Sequence, residues 1–203
     1  MPNSYCTIAE IKEVLPDATW GTTYDVILTK LALRASRAVD RFTKRSPGSF
    51  CPEEVTKYFS SDGSIEVFVD ELAAAPSSVS IAEDGDITDL TVLSADDYYL
   101  YPRNALVEGI PYNFLYLDTL NGDYAAFPHY RDSIVIVGKF GFSATVPEDV
   151  KQVVIIQAVR WFKRGQQGFQ DTGAIMEIGQ MTYTKALDPD LAITLEYLTR
   201  ITI

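Results

Sequence analysis

Residues 25 to 45 read Asp25-Val26-Ile27-Leu28-Thr29-Lys30-Leu31-Ala32-Leu33-Arg34-Ala35-Ser36-Arg37-Ala38-Val39-Asp40-Arg41-Phe42-Thr43-Lys44-Arg45. Ile27, Leu28, Leu31, Ala35, Ala38, Val39 and Phe42 recur at spacings of three and four, which predicts one long amphipathic helix. Thr22 to Asp25 supplies a weak capping signal, and Ser46-Pro47-Gly48-Ser49 stops the helix. Upstream, Thr7-Ile8-Ala9-Glu10 is a capping box. It opens a short helix with Ile8, Ile11, Val14 and Leu15 on one side, closed by Pro16-Asp17.

From Val55 to about Val137 the pattern changes to short β-branched and aromatic runs between turns. Val55–Phe59 and Ile65–Val69 flank Asp62-Gly63, a hairpin signal. Val79–Ile81, Asp97–Tyr101, Phe114–Leu117 and Ser133–Val137 are further strands. The helical period returns at Pro147-Glu148-Asp149, where acids meet a helix N-terminus. Val150, Val153, Val154, Ala158, Trp161 and Phe162 follow on one side, and a last helix from about Pro189 to Thr199 carries Leu191, Leu195 and Leu198. The predicted fold is therefore α+β. Residues 1–52 and 147–203 form one helical core, and residues 53–146 form an inserted antiparallel β-domain, a sandwich or small barrel.

The chain has 203 residues, 47% of them hydrophobic and 22% charged, which excludes a disordered tail or a disulfide-rich mini-protein. Its net charge of −11 argues against free DNA as a main ligand. No stretch approaches a membrane span, and the first residues lack a signal-peptide pattern, so the expectation is a soluble protein of a reducing cytoplasm with Cys6 and Cys51 as thiols. His129 is the only histidine and has no nucleophile beside it in a known pattern; Cys6 or Cys51 could meet it only through tertiary contact. Asp84-Gly85-Asp86-Ile87-Thr88-Asp89 lacks calcium-loop spacing, and Gly138-Lys139-Phe140-Gly141-Phe142 lacks a phosphate-loop ending. The sequence thus predicts no catalytic residue, no metal site and no cofactor.

Charge is patterned instead. Between Glu53 and Asp97 stand twelve acids and one base, Lys57. Lys30, Arg34, Arg37, Arg41 and Lys44 share one face of the long helix, and Arg160, Lys163 and Arg164 add to the later one. A solvated face accounts for this, and so does head-to-tail docking of a basic helix on the acidic β-domain of a neighbour, a heterologous contact that closes into a ring. A basic lumen for DNA is a third reading.

The order of signals resembles the head–tail connector (adaptor, head-completion) proteins of tailed bacteriophages. The resemblance is carried by Tyr5 to Lys12, by Ala35 to Arg45, by Ser94-Ala95-Asp96-Asp97-Tyr98-Tyr99-Leu100-Tyr101-Pro102, by Val137 to Phe142 with Val146 to Val150, by Arg160-Trp161-Phe162-Lys163-Arg164, and by Leu187 to Leu191 with Leu195 to Tyr197. It implies a non-enzymatic structural virion protein in the neck at the head–tail interface, made in the host cytoplasm. The implied partners are a portal protein, a further neck or tail-completion protein, copies of itself in a dodecameric ring, and DNA passing through the lumen without sequence-specific binding; no membrane is implied. The C-terminal segment, with Leu187, Leu191, Leu195 and Tyr197, would reach the portal, and Gly168 to Gly179 with Ile175 to Tyr183 would be an arm ordered on assembly. The alternative is a soluble β-domain binding module, perhaps for carbohydrate, with Tyr98, Tyr99, Tyr101, Tyr112, Tyr116, Tyr124 and Tyr130 as its platform.

Overall fold

A computed structural model describes residues 4–15, 21–166, 172–175, 179–182 and 189–200. In chain order the elements are α1 (Ile8–Val14), α2 (Asp25–Phe42), β1 (Glu54–Phe59), β2 (Glu66–Leu72), β3 (Ser78–Ile81), β4 (Thr91–Val92), β5 (Tyr98–Tyr101), α3 (Ala105–Glu108), β6 (Tyr112–Leu117), β7 (Ile134–Lys139), α4 (Glu148–Gln166), β8 (Thr172–Ile175), β9 (Gly179–Thr182) and α5 (Pro189–Leu195), with a 3-10 turn at Glu196–Leu198. The chain divides into two compact units, Met1–Gly48 with Val146–Ile203 and Ser49–Thr145. The fold is an α+β mix.

In the helical unit, α2 and α4 pack along each other, and α1 and α5 both pack on them. The Thr7–Glu10 capping box is formed and starts α1. At α2 the expected Thr cap is absent. Tyr24 holds the N-cap position and its side chain does not cap the helix, and Asp25 in the first turn pairs with Lys12 at 2.5 Å. The buried face of α2 is Leu28, Ala32, Ala35, Ser36, Val39 and Asp40. It is turned relative to the apolar periodicity. Ile27, Leu31, Ala38 and Phe42 fall on its flank, half-buried or exposed. Two polar residues take the vacated core positions because they have partners. Ser36 Oγ accepts from the Tyr5 backbone N–H at 3.0 Å and donates to Ala32 O at 2.8 Å. Asp40 accepts from the Tyr5 hydroxyl, from Arg37 and from Gly48 N–H at 3.1 Å. The α4 face buries Val150, Val153, Val154, Ile155, Ala158, Val159 and Phe162, and α5 adds Leu191 and Leu195. Each fully buried aliphatic side chain contributes about 1.5–3 kcal/mol. Arg45 Nε donates to Leu198 O and Arg200 N–H to Thr43 O, both at 2.9 Å, so the last described residues are tied to the end of α2.

The β unit holds a four-stranded sheet in the order β1-β7-β3-β4 and a three-stranded sheet in the order β2-β6-β5, with antiparallel pairing throughout. Val79, Ile81, Ile134 and Ile136 from the first sheet and Val67, Val69, Leu115 and Leu117 from the second build one core, with Leu93 and Phe127. The sheets meet at one corner, where Leu72 bridges Phe140, and do not close into a barrel. This corrects the expected hairpin at Asp62-Gly63. The two strands flanking it, β1 and β2, belong to different sheets. Gly63 turns at φ 88° and Asp62 Oδ1 accepts from Ser64 N–H at 3.1 Å, so the local turn chemistry is real but serves a corner between layers. At Gly141 a Cβ would stand 2.5 Å from Ser49 O; the chain leaving β7 needs glycine there for close approach. Residues 172–175 and 179–182 pair antiparallel, whereas residues 168–171, residues 176–178 and Tyr183 of the expected arm lie outside the described residues.

Candidate interaction surfaces

Lys30, Arg34 and Arg41 are exposed along α2, as the spacing predicts. Two members of the expected row stand apart. Arg37 is half-buried and bonded to Asp40, because a buried carboxylate needs a cation beside it. Lys44 lies past the C-cap Thr43 with φ 56°, so it has left the helical face. Between the basic row and the core runs an apolar flank. It opens into a cavity of about 640 Å³ lined by Tyr24, Ile27, Leu31, Arg34, Trp161 and Phe162, with Arg164, Gly165 and Gln166 at one end. The Arg34 guanidinium sits 4.7 Å from the Trp161 ring centroid, a cation–π contact that fixes a charge on the groove's rim.

The charge asymmetry is sharper by unit than by segment. The helical unit has thirteen Lys and Arg against twelve Asp and Glu, and the β unit has four against sixteen, net charges of +1 and −12. Of the twelve acids from Glu53 to Asp97, ten are exposed and Glu71 is half-buried. Asp97 is buried, and accepts from Ser94 N–H at 2.6 Å, Ser94 Oγ at 2.7 Å and Asp123 N–H at 2.9 Å. The Asp123 and Ser94 donors hold its carboxyl below the usual range. It joins the start of β5 to the 118–123 loop and is not a docking charge.

The tyrosine platform is divided. Tyr99, Tyr101 and Tyr116 lie on the outer face of the three-stranded sheet with Phe68 and Phe114. Tyr99 stacks on Tyr116 at 5.4 Å, and Arg103 stands 4.2 Å above Tyr99. A hydrogen bond to Glu66 pushes the Tyr116 hydroxyl up to about 12. Tyr98 instead faces the core, Tyr112 is buried, Tyr124 packs against the core and Tyr130 covers Gly85.

Of the C-terminal residues read as portal-contacting, Leu187 lies outside the described residues. Leu191 and Leu195 are buried in the helical unit, because an amphipathic segment beside an apolar helix face docks there first. Tyr197 is exposed, and its hydroxyl donates to Asp149 at 2.9 Å. His129 is exposed in a loop beside Gly63. Burial, with Glu10 adding to it, pushes the Cys6 thiol up to about 12, against the pull of Lys151, which leaves it a poor nucleophile. Among the described residues no three His, Cys, Asp or Glu side chains stand together as metal ligands, and no helix is long and apolar enough to cross a membrane.

No protein family and no curated protein matches the sequence. Solved structures do match in fold. A chain from the neck of an empty gene transfer agent particle, computed with C6 symmetry, aligns with a TM-score of 0.58 at 14% identity, over 100% of this chain and 93% of that one. A chain from the neck of the native particle, computed with C12 symmetry, gives 0.56 at 14% identity over 100% and 92%. A chain of the native gene transfer agent virion gives 0.54 at 15% over 100% and 93%. The fold of this chain, over its whole length, is similar to that of a chain found in the neck of a gene transfer agent particle.

Proposed function

We propose that this chain is a structural virion protein of the neck, a head–tail adaptor that forms a ring below the portal, extends the DNA channel and docks the next neck or tail component. The observation that carries this is the end-to-end fold likeness to chains of particle necks whose structures were computed with six-fold and twelve-fold symmetry. The unlike charges of the two units support head-to-tail association, since a heterologous contact needs two different complementary surfaces. Lys30, Arg34 and Arg41 serve as the cationic side of the subunit contact; Lys44 flanks it and Arg37 shapes it from inside. Tyr197 is the part of the C-terminal segment offered to the portal, held up by Leu191 and Leu195 beneath. A dodecamer lets DNA pass without base contacts.

Native mass spectrometry and electron microscopy of the protein with its portal test this reading. The expected result is a closed ring of this chain on the portal, and its presence in purified virions. A chain that never enters particles overturns it. Arg34→Glu with Arg41→Glu should leave the isolated chain folded, with only a small fall in melting from the lost Arg34–Trp161 contact, and abolish ring formation; normal virions from that variant would remove the charge-docking contact.

A second reading rests on the outer aromatic face of the three-stranded sheet, where Phe68 is 59% and Tyr101 49% exposed. Such a face suits stacking on a sugar ring. Saccharide titration followed by tyrosine fluorescence checks it, with a response lost in Tyr99→Ala and Tyr116→Ala if it holds.

A further inference from the structure

The basic row leaves the neighbouring groove of the helical unit without an assigned role, and the β unit carries an apolar projection to match it. The groove is apolar along Ile27, Leu31 and Trp161, cationic at Arg34, and open, with Ile27 49% exposed. α2 already packs on α4, α1 and α5 through its buried face, so the second apolar flank is not used by those contacts. In the β unit, α3 is one short turn anchored by buried Ala105. It holds Leu106 and Val107 out at 63% and 91% exposure, with Ile110 at 37% just beyond. Glu108, also exposed, stands beside them. Leu106, Val107 and Ile110 are three adjoining exposed aliphatic residues on a unit of net charge −12, an apolar projection on an acidic body.

We infer that the Leu106–Val107–Ile110 projection of one copy seats in the Ile27–Leu31–Trp161 groove of the next, with Glu108 facing Arg34. The inference rests on the ring reading and names its contact. Second copies are the occupant for two reasons. The groove's cationic rim matches the acidic unit that carries the projection. The two surfaces also lie on different units of one chain, so each copy can give one and receive one, which is the requirement for a closed ring. Aliphatic side chains filling an aromatic-walled pocket supply affinity; the Glu108–Arg34 pairing fixes register.

The test uses the full chain with Cys51→Ser, leaving Cys6 buried. A chain carrying both Ile27→Cys and Val107→Cys should, on mild oxidation, give a covalent ladder running past the dimer. A mixture of the two single variants should stop at the dimer. Leu106→Asp with Val107→Asp, both at exposed positions, should raise the concentration of half-assembly about a hundredfold. Glu108→Lys should weaken assembly and be restored by Arg34→Glu. Rings seen by native mass spectrometry without the ladder, or unaffected by the aspartate pair, overturn this contact and leave the ring standing. A chain that stays monomeric at every concentration, with and without portal, overturns both.

Discussion

The helical unit and the β unit each bury a carboxylate, and the two carboxylates respond in opposite directions. Asp40 stands between helices, 1% exposed, and burial pushes its carboxyl above the usual range against the pull of Tyr5, Gly48 and Arg37. Asp97, 5% exposed, sits in a turn where the Asp123 and Ser94 N–H groups and the Ser94 hydroxyl converge on it, and its carboxyl is held low. Desolvation dominates at Asp40, where burial outweighs the donors; hydrogen bonding to the charged form dominates at Asp97, where the Ser94 turn and the 118–123 loop both bring donors to one carboxylate. Asp40 is a junction in a layered apolar body, and Asp97 is a clasp at the edge of a wet one.

Removing the junction should break the comparison hardest. Asp40→Ala takes the common partner from Tyr5, Arg37 and Gly48, leaving the buried Tyr5 hydroxyl and Gly48 N–H without this acceptor and the half-buried Arg37 without its carboxylate, at a cost of about 3 kcal/mol. Both tryptophans, Trp20 and Trp161, belong to the helical unit's part of the chain, so a fall in the denaturant midpoint of tryptophan fluorescence reads it directly. A midpoint unchanged by Asp40→Ala would show that Tyr5 does not lean on this residue.

Asp97→Ala should cost less, about 2 kcal/mol, because the donors it abandons lie nearer water. Hydrogen exchange at Ser94 and Asp123 would rise first. The asparagine variants sharpen the contrast by pH. A carboxyl whose folded value is depressed gives stability that is complete above its unfolded value near ~3.9 and lost as pH falls through the folded one. The advantage of the native chain over Asp97→Asn should therefore shrink in acid. Asp40 has a raised folded value, so its ionisation costs stability as pH rises through that value. The native chain should gain on Asp40→Asn as pH is lowered toward ~4. Parallel curves for the two variants would refute the assignment.

These two residues also show what the sequence made legible. Ala35 to Asp40 and Ser94 to Tyr98 both stood out as part of a resemblance, with no physical reason attached. The structure supplies one, since Ser36 with Asp40 secures Tyr5, and Asp97 secures a distant loop. Spacing located every long helix, because period 3.6 needs only local residues. It misjudged which side of α2 is buried, since Ser36 and Asp40 count as polar until Tyr5 is brought to them by tertiary contact. The same limit applies to Asp62-Gly63. A turn signal states that the chain reverses, while strand pairing depends on partners such as β7, about 80 positions away in sequence. The groove beside α2 was hidden within an apparently continuous apolar stripe, and Leu191 and Leu195 had the same apolar spacing whether they served the core or a partner.

The smallest expected effect separates a satisfied polar residue from an unsatisfied one within the helical unit. Gln157 is 3% exposed on α4, and its Oε1 has no hydrogen-bond partner among the described residues. Asp40 is just as deep and fully engaged. Burial of an amide oxygen without a donor costs stability, and methionine matches glutamine in length and flexibility. Gln157→Met should therefore raise stability by about 1 kcal/mol, seen as a higher fluorescence midpoint with unchanged slope. A loss of stability would mean that the amide is bonded in solution. A gain accompanied by failed ring assembly would mean that the helical unit keeps Gln157 for the assembled state, at the expense of the free chain.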